Sequence, residues 1–183
     1  MQKKLWKYQD YSQNQSEIEE LKQALNISTE LASLLVARGV SDFQTAKTFF
    51  RPKLQDIPDA FLMKNMEKAV SVLMQYVEQG KNILVYGDYD VDGTSSVTIL
   101  YKFLIGLTDN VTFHIPNRYT EGYGVSKKGI EFAIDKDIQL ILTLDCGIKA
   151  HEKIQPAQDN GIEVIVCITE GIPVQDMVKV KSY

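Results

Sequence analysis

Apolar residues recur at helical spacing through the first 80 residues and in short strand-like runs after residue 82. Ile18, Leu21 and Leu25 lie on one face of a helix over residues 16–25, and Ser16 with Glu19 fits a capping box at its start. Asn26-Ile27-Ser28 interrupts the pattern. Leu31, Leu34, Leu35 and Ala37 then continue it over 29–38, up to Gly39 at a helix C-terminus. Ser41 opens a short helix through Phe50, with Pro52 just beyond, and 54–63 reads as a connecting loop. A longer amphipathic helix over 66–79 carries Ala69, Val70, Leu73, Met74 and Val77 on one stripe and stops at Gly80. Beyond it, strand-like runs at 82–86, 111–115, 139–144 and 163–167 alternate with helical runs at 94–107, 126–135 and 149–160. Such β-α alternation predicts an α/β fold, a mostly parallel sheet with helices on both faces. The expected division is a helical N-terminal leader (1–80), an α/β domain (81–167) and a tail (168–183).

Composition is ordinary for a globular chain, with 44% hydrophobic and 24% charged residues. The net charge of −4 argues against a globally basic nucleic-acid binder, but leaves room for a local basic groove or a phosphate-binding metal. No apolar run approaches a membrane span and no signal-peptide core follows the first residues, so a cytoplasmic location is expected. Cys146 and Cys167 read as reduced thiols at strand ends.

The first strand-like run ends in Gly87-Asp88-Tyr89-Asp90-Val91-Asp92-Gly93. In an extended chain alternate residues point the same way, so three crowded carboxylates call for a positive partner. A divalent metal that prefers oxygen ligands is the simplest one. Turn formation and helix capping are the competing uses of Asp here. A calcium loop fits poorly, because Ile99 stands where its last Glu belongs and a strand precedes it. Asp145 follows another apolar run, and parallel strands share one carboxyl edge, so it can converge with Asp90 and Asp92 or simply cap the next helix. The loop Pro116-Asn117-Arg118-Tyr119-Thr120-Glu121-Gly122-Tyr123-Gly124 offers a guanidinium for phosphate and tyrosines for stacking. Lys127 and Lys128 suit an anionic ligand or a solvated pair equally, and both histidines, His114 and His151, are left out of the metal site. No P-loop and no serine or cysteine nucleophile system is present.

These motifs, in this order, resemble the DHH phosphoesterase superfamily, and within it the RecJ-like single-stranded-DNA exonucleases. Val85 to Thr94 is similar to the first motif of that family, Pro116 to Gly124 to the second, and Leu144-Asp145-Cys146-Gly147 to the third. In the leader, Leu34-Leu35-Val36-Ala37-Arg38-Gly39 and Phe49-Phe50-Arg51-Pro52 fit as well. The resemblance implies Mn2+ or Mg2+ held by Asp90, Asp92 and Asp145, with Asp88 beside them as a further catalytic carboxylate. It implies that Arg118, Tyr123 and Gly124 seat the 5′ end of single-stranded DNA, and that the chemistry is phosphodiester hydrolysis from that end. The family's Asp-His-His motif is expected after Cys167, where this chain has Ile168-Thr169-Glu170-Gly171-Ile172-Pro173. An in-frame deletion or a frameshift would account for the difference, and the likeness of that stretch to the turn after Asp-His-His favours deletion. The resemblance thus implies that the α/β domain (81–167) is incomplete and the tail (168–183) aberrant. A truncated, inactive or nearly inactive exonuclease is therefore expected. The rival readings are a non-catalytic metal- or nucleic-acid-binding module, and a phosphoesterase acting on short oligonucleotides or cyclic dinucleotides.

Overall fold

The computed structural model describes residues 12–167 and 178–181, and the chain divides at Pro58 into two compact units. The first is helical. A 3-10 turn at Ser12–Asn14 leads into α1 (Gln15–Leu25), followed by α2 (Thr29–Val36) and α3 (Phe43–Phe50). Their apolar stripes meet in a small core of Leu21, Leu35, Val40 and Ala46. Ser28 caps α2 as its position suggests. The expected Ser16–Glu19 box does not form, because the N-cap is Asn14, two residues earlier, and Ser16 lies inside α1; Asn14 Nδ2 donates to Glu17 instead. Asp42 rather than Ser41 caps α3, accepting from the Thr45 N–H at 2.8 Å.

The second unit opens with α4 (Met66–Glu78). Ala69 of α4 is buried with Ile83 and Val85, and Met66, Leu73 and Val77 pack against the same cluster. The boundary expected at residue 80 thus falls between a helix and the sheet it covers, and the compact division lies at Pro58 instead. Then come β1 (Ile83–Gly87), α5 (Val91–Leu104), β2 (Val111–His114), α6 (Lys127–Asp135), β3 (Leu140–Leu144), α7 (His151–Asp159), β4 (Glu163–Cys167) and β5 (Val178–Lys181).

The strands lie in the order β2-β1-β3-β4-β5. The first four are parallel and β5 runs antiparallel to β4. Alternate strand residues face opposite ways, and in the central strands β1 and β3 both sets are buried. Leu84, Tyr86, Ile141, Val164 and Val166 pack with Ile130 and Ala133 of α6 and Ile154 and Ala157 of α7. On the other face Ile83, Val85, Leu140, Leu142 and Ile165 pack with α4 and with Val97 and Leu104 of α5. This is the two-sided α/β sheet that the alternation predicts, and it explains why the strands read as unbroken apolar runs. Residues 178–181, expected in the aberrant tail, pair with β4 from Cys167↔Val178 to Val164↔Lys181; the rest of that stretch lies outside the described residues. Among the described residues no helix is long and apolar enough to cross a membrane.

Candidate active site

The chain leaves β1 toward β2 on one side, while β3 leads to β4 on the other. Connections that diverge in this way open a crevice at the carboxyl ends of the two central strands. The last register pair of β1 and β3 is Gly87↔Leu144, so the next residues on the two strands are Asp88 and Asp145. Asp145 adopts a left-handed backbone with φ of 56°. Its N–H donates to Cys167 O at 2.9 Å, and the Thr143 hydroxyl donates to Cys146 O at 2.9 Å, fixing the turn. A left-handed conformation costs an ordinary L-residue about 1–2 kcal/mol, and strain of this kind gathers at functional sites.

The acidic string is only partly extended. Asp90 caps α5, its Oδ1 accepting from the Gly93 N–H at 2.9 Å. Asp92 is exposed in the first turn of that helix, so the alternation argument does not reach it. The helix starts three residues earlier than its apolar pattern suggests, because the carboxylate itself is the cap. Asp88 is fully buried, with Oδ1 accepting from the Tyr89 N–H at 2.7 Å and Oδ2 from the Gly124 N–H at 3.1 Å. Gly93 lets α5 meet the strand end: a Cβ there would stand 2.5 Å from Asp88 N.

Two side chains on different loops register the same charges. Burial pushes the Tyr123 phenol up, and the charges of Asp88, Asp90 and Asp145 push it further. Burial, then Asp88, Asp145 and Asp90, push the Cys146 thiol up to about 12. Asp88 and Asp145 follow the last register pair of β1 and β3, and Asp90 caps the helix that leaves β1, so the three carboxylates lie at one edge of the sheet. Among the described residues, no group of three or more His, Cys, Asp or Glu side chains is arranged to hold a metal ion. Both Asp88 oxygens and one Asp90 oxygen are engaged by backbone N–H groups. The donor chemistry still suits Mn2+ or Mg2+: Asp90 and Asp145 offer hard oxygens, and such ions keep several waters and need as few as one or two carboxylates.

The second motif borders this crevice through Gly124 on Asp88. Arg118 is exposed, its guanidinium carbon 5.4 Å from the centre of the Tyr89 ring, and Tyr89 meets Tyr123 edge to face at 5.9 Å. Tyr123 is 61% exposed. Gly124, expected to contact nucleic acid, is instead buried: its N–H serves Asp88 and its carbonyl lies 3.3 Å from the Tyr86 hydroxyl. Residues given no role in the sequence reading hold the loop. Tyr86 is fully buried, its hydroxyl accepts from the Ser126 N–H at 2.9 Å, and burial pushes its phenol up to about 12. Ser126 caps α6, and its hydroxyl donates to Glu121 at 2.6 Å. Alternation along β1 does place Tyr86 on the face of Leu84, but no periodicity points to Glu121.

Residues 82–168, within this α/β unit, match the DHH family, N-terminal domain. The curated relatives the chain matches include several RecJ proteins. The single-stranded-DNA-specific exonuclease RecJ of Bacillus subtilis is 35% identical over 153 residues, 84% of this chain and 20% of the relative. RecJ of Thermus thermophilus is 36% identical over 148 residues, 80% of this chain and 21% of the relative. Among solved structures, an exonuclease RecJ bound to manganese aligns with a TM-score of 0.57 and 36% identity, covering 64% of this chain and 31% of that one. RecJ from Thermus thermophilus in complex with Mn2+ aligns with a TM-score of 0.54 and 28% identity, covering 89% of this chain and 23% of that one. The chain is thus RecJ-like, and it spans about a fifth of the length of these two curated relatives.

Proposed function

We propose that this site serves metal-assisted hydrolysis of single-stranded DNA from a 5′ end. The observation that carries the reading is the placement of Asp88, Asp90 and Asp145 at the carboxyl ends of β1 and β3, with Asp88 bonded to the loop that presents Arg118 and Tyr123. Asp90 and Asp145, with Asp92 at the rim, would hold Mn2+ or Mg2+, and the bound ion would polarise a phosphate oxygen as a Lewis acid. Asp88 is a positioning residue in this reading, since its oxygens tie the strand end to the Gly124 backbone. Arg118 suits a terminal phosphate through its planar pair of donors. Tyr123 and Tyr89 suit a stacked terminal base. A role in DNA repair and recombination, and a cytoplasmic location, belong to the same proposal.

The test is binding of a short 5′-phosphorylated single strand by the 183-residue chain, with and without Mn2+, followed by fluorescence anisotropy. Binding should need Mn2+ and weaken in Asp145→Asn. In Arg118→Ala the phosphorylated strand should lose more affinity than a 5′-hydroxyl strand. Binding indifferent to Mn2+ and to Asp145→Asn would refute the site. The chain has two histidines, His114 and His151, and no adjacent pair. In a parallel nuclease assay we expect its turnover to be slow beside that of a full-length relative.

A further inference from the structure

We infer that Glu121 is a positioning residue that fixes the loop carrying Arg118 and Tyr123, and so sets the preference for a terminal phosphate. This rests on the proposed reading of that loop as the seat of the 5′ end. The Glu121 carboxylate spans the loop from within. Oε1 accepts from the Asn117 N–H at 3.0 Å, next to Arg118. Oε2 accepts from the Ser126 hydroxyl at 2.6 Å and lies 3.1 Å from His114 Nε2 at the end of β2. One side chain thus joins both ends of the loop to the edge of the sheet.

The frame is closed on each side. Asn117 Oδ1 accepts from the N–H groups of Tyr119 and Thr120 at 2.9 and 3.2 Å. The Ser126 hydroxyl also accepts from Gly129 N–H at 2.9 Å, at the start of α6. His114 is tilted between Tyr86 and Phe132, with ring centres 5.2 and 5.4 Å away. The Glu121 side chain is only 9% exposed and that of His114 17%, whereas Arg118 and Tyr123 face outward. Burial works to raise the Glu121 carboxyl, but the hydrogen bonds from Asn117, Ser126 and His114 outweigh it and hold the group below the usual range. An ionised carboxylate suits this place because it offers only acceptors to the donors around it. Gln keeps the length and can satisfy the same ring of groups if the Ser126 hydroxyl and the His114 tautomer exchange roles. Ala leaves the Asn117 N–H and the Ser126 hydroxyl without their acceptor.

Glu121→Ala and Glu121→Gln separate this role from general stability. In the DNA-free chain, amide exchange of residues 117–126 should speed up in Glu121→Ala while the strands stay protected. Affinity for a 5′-phosphorylated strand should fall about tenfold, the size of a lost hydrogen bond to a charged group, with less than about twofold change for the 5′-hydroxyl strand. Glu121→Gln should restore both readouts. Unchanged loop exchange with unchanged phosphate preference in Glu121→Ala would overturn the inference. So would a sheet-wide rise in exchange with equal losses for both strands, which is what a merely structural role produces. If the wild-type chain binds both strands alike, the 5′-end reading fails by itself, and loop exchange still decides whether Glu121 fixes the loop.

Discussion

Gly93 gives the most direct physical test of how the crevice is built. It lies in the first turn of α5, where alanine would ordinarily favour the helix by about 1 kcal/mol. Here the new Cβ would stand 2.5 Å from both Asp88 N and Asp88 O, about 0.9 Å inside the 3.4 Å at which ordinary contact begins. The obstacle is the backbone of a buried strand end, which cannot swing aside as a flexible side chain can. Overpacking of this kind costs about 1–3 kcal/mol, which outweighs the helical gain. A clash with fixed backbone atoms belongs in the upper part of that range, about 2–3 kcal/mol, so Gly93→Ala should lose about 1–2 kcal/mol net, or about 2–8 °C in Tm for a chain of this size. Thermal and urea denaturation measure the loss. Ser95→Ala, at an exposed position of the same helix, is the control and should be neutral or slightly stabilising. Because Asp90 Oδ1 is held by the Gly93 N–H, the displaced helix should also weaken Mn2+ binding. A Gly93→Ala variant as stable as wild type would show that the close approach of α5 to Asp88 is not a constraint.

Asp90→Asn should keep the stability within about 0.5 kcal/mol of wild type, because Asn caps as well as Asp, while Asp90→Ala should lose about 0.5–2 kcal/mol. Both should lose Mn2+ binding by calorimetry, and retained tight binding in both would remove Asp90 from the metal site. The Glu121 carboxyl is held below its usual range in the folded chain, so its contribution to stability is full above that range and is lost as pH falls from it through the lowered folded-state value. Urea midpoints between pH 7 and pH 3 should drop less steeply for Glu121→Gln; parallel curves would refute this. Burial holds Cys146 near 12 and Cys167 near 11, with the crevice carboxylates adding to the first. Both thiols should resist a disulfide reagent at pH 8 until the chain is unfolded, and fast native labelling would contradict their placement.

The parallel sheet was legible because each central strand is a short apolar run buried on both faces, with Leu84 and Tyr86 on one and Ile83 and Val85 on the other. Parallel geometry alone predicted that Asp145 would share an edge with the first acidic string, and the Gly87↔Leu144 register places it there. Asp92 departs from the alternating string for a physical reason: in Asp-Xaa-Asp-Xaa-Asp the middle residue is also a strong N-cap, and capping makes the third a helical residue. From sequence the helix at 66–78 reads with the leader, because a helical stripe does not reveal which surface will cover it. Glu121 was invisible because its partners stand four, five and seven residues away, on a loop and a strand that share no period.

Asp145 carries a consequence for anyone who would engineer this chain. At φ of 56° glycine is the residue the backbone itself prefers, and an acid there is a standing conformational debt. Relaxing it through Asp145→Gly would recover up to about 1–2 kcal/mol. A screen that rewards heat resistance alone, without reading metal or DNA, would therefore find this substitution among its easiest gains. The hardened protein would look improved by every measure of folding while one wall of the crevice had lost its charge. Selection for stability in this scaffold has to be paired with a readout of the proposed site, or it will erase a carboxylate assigned to it.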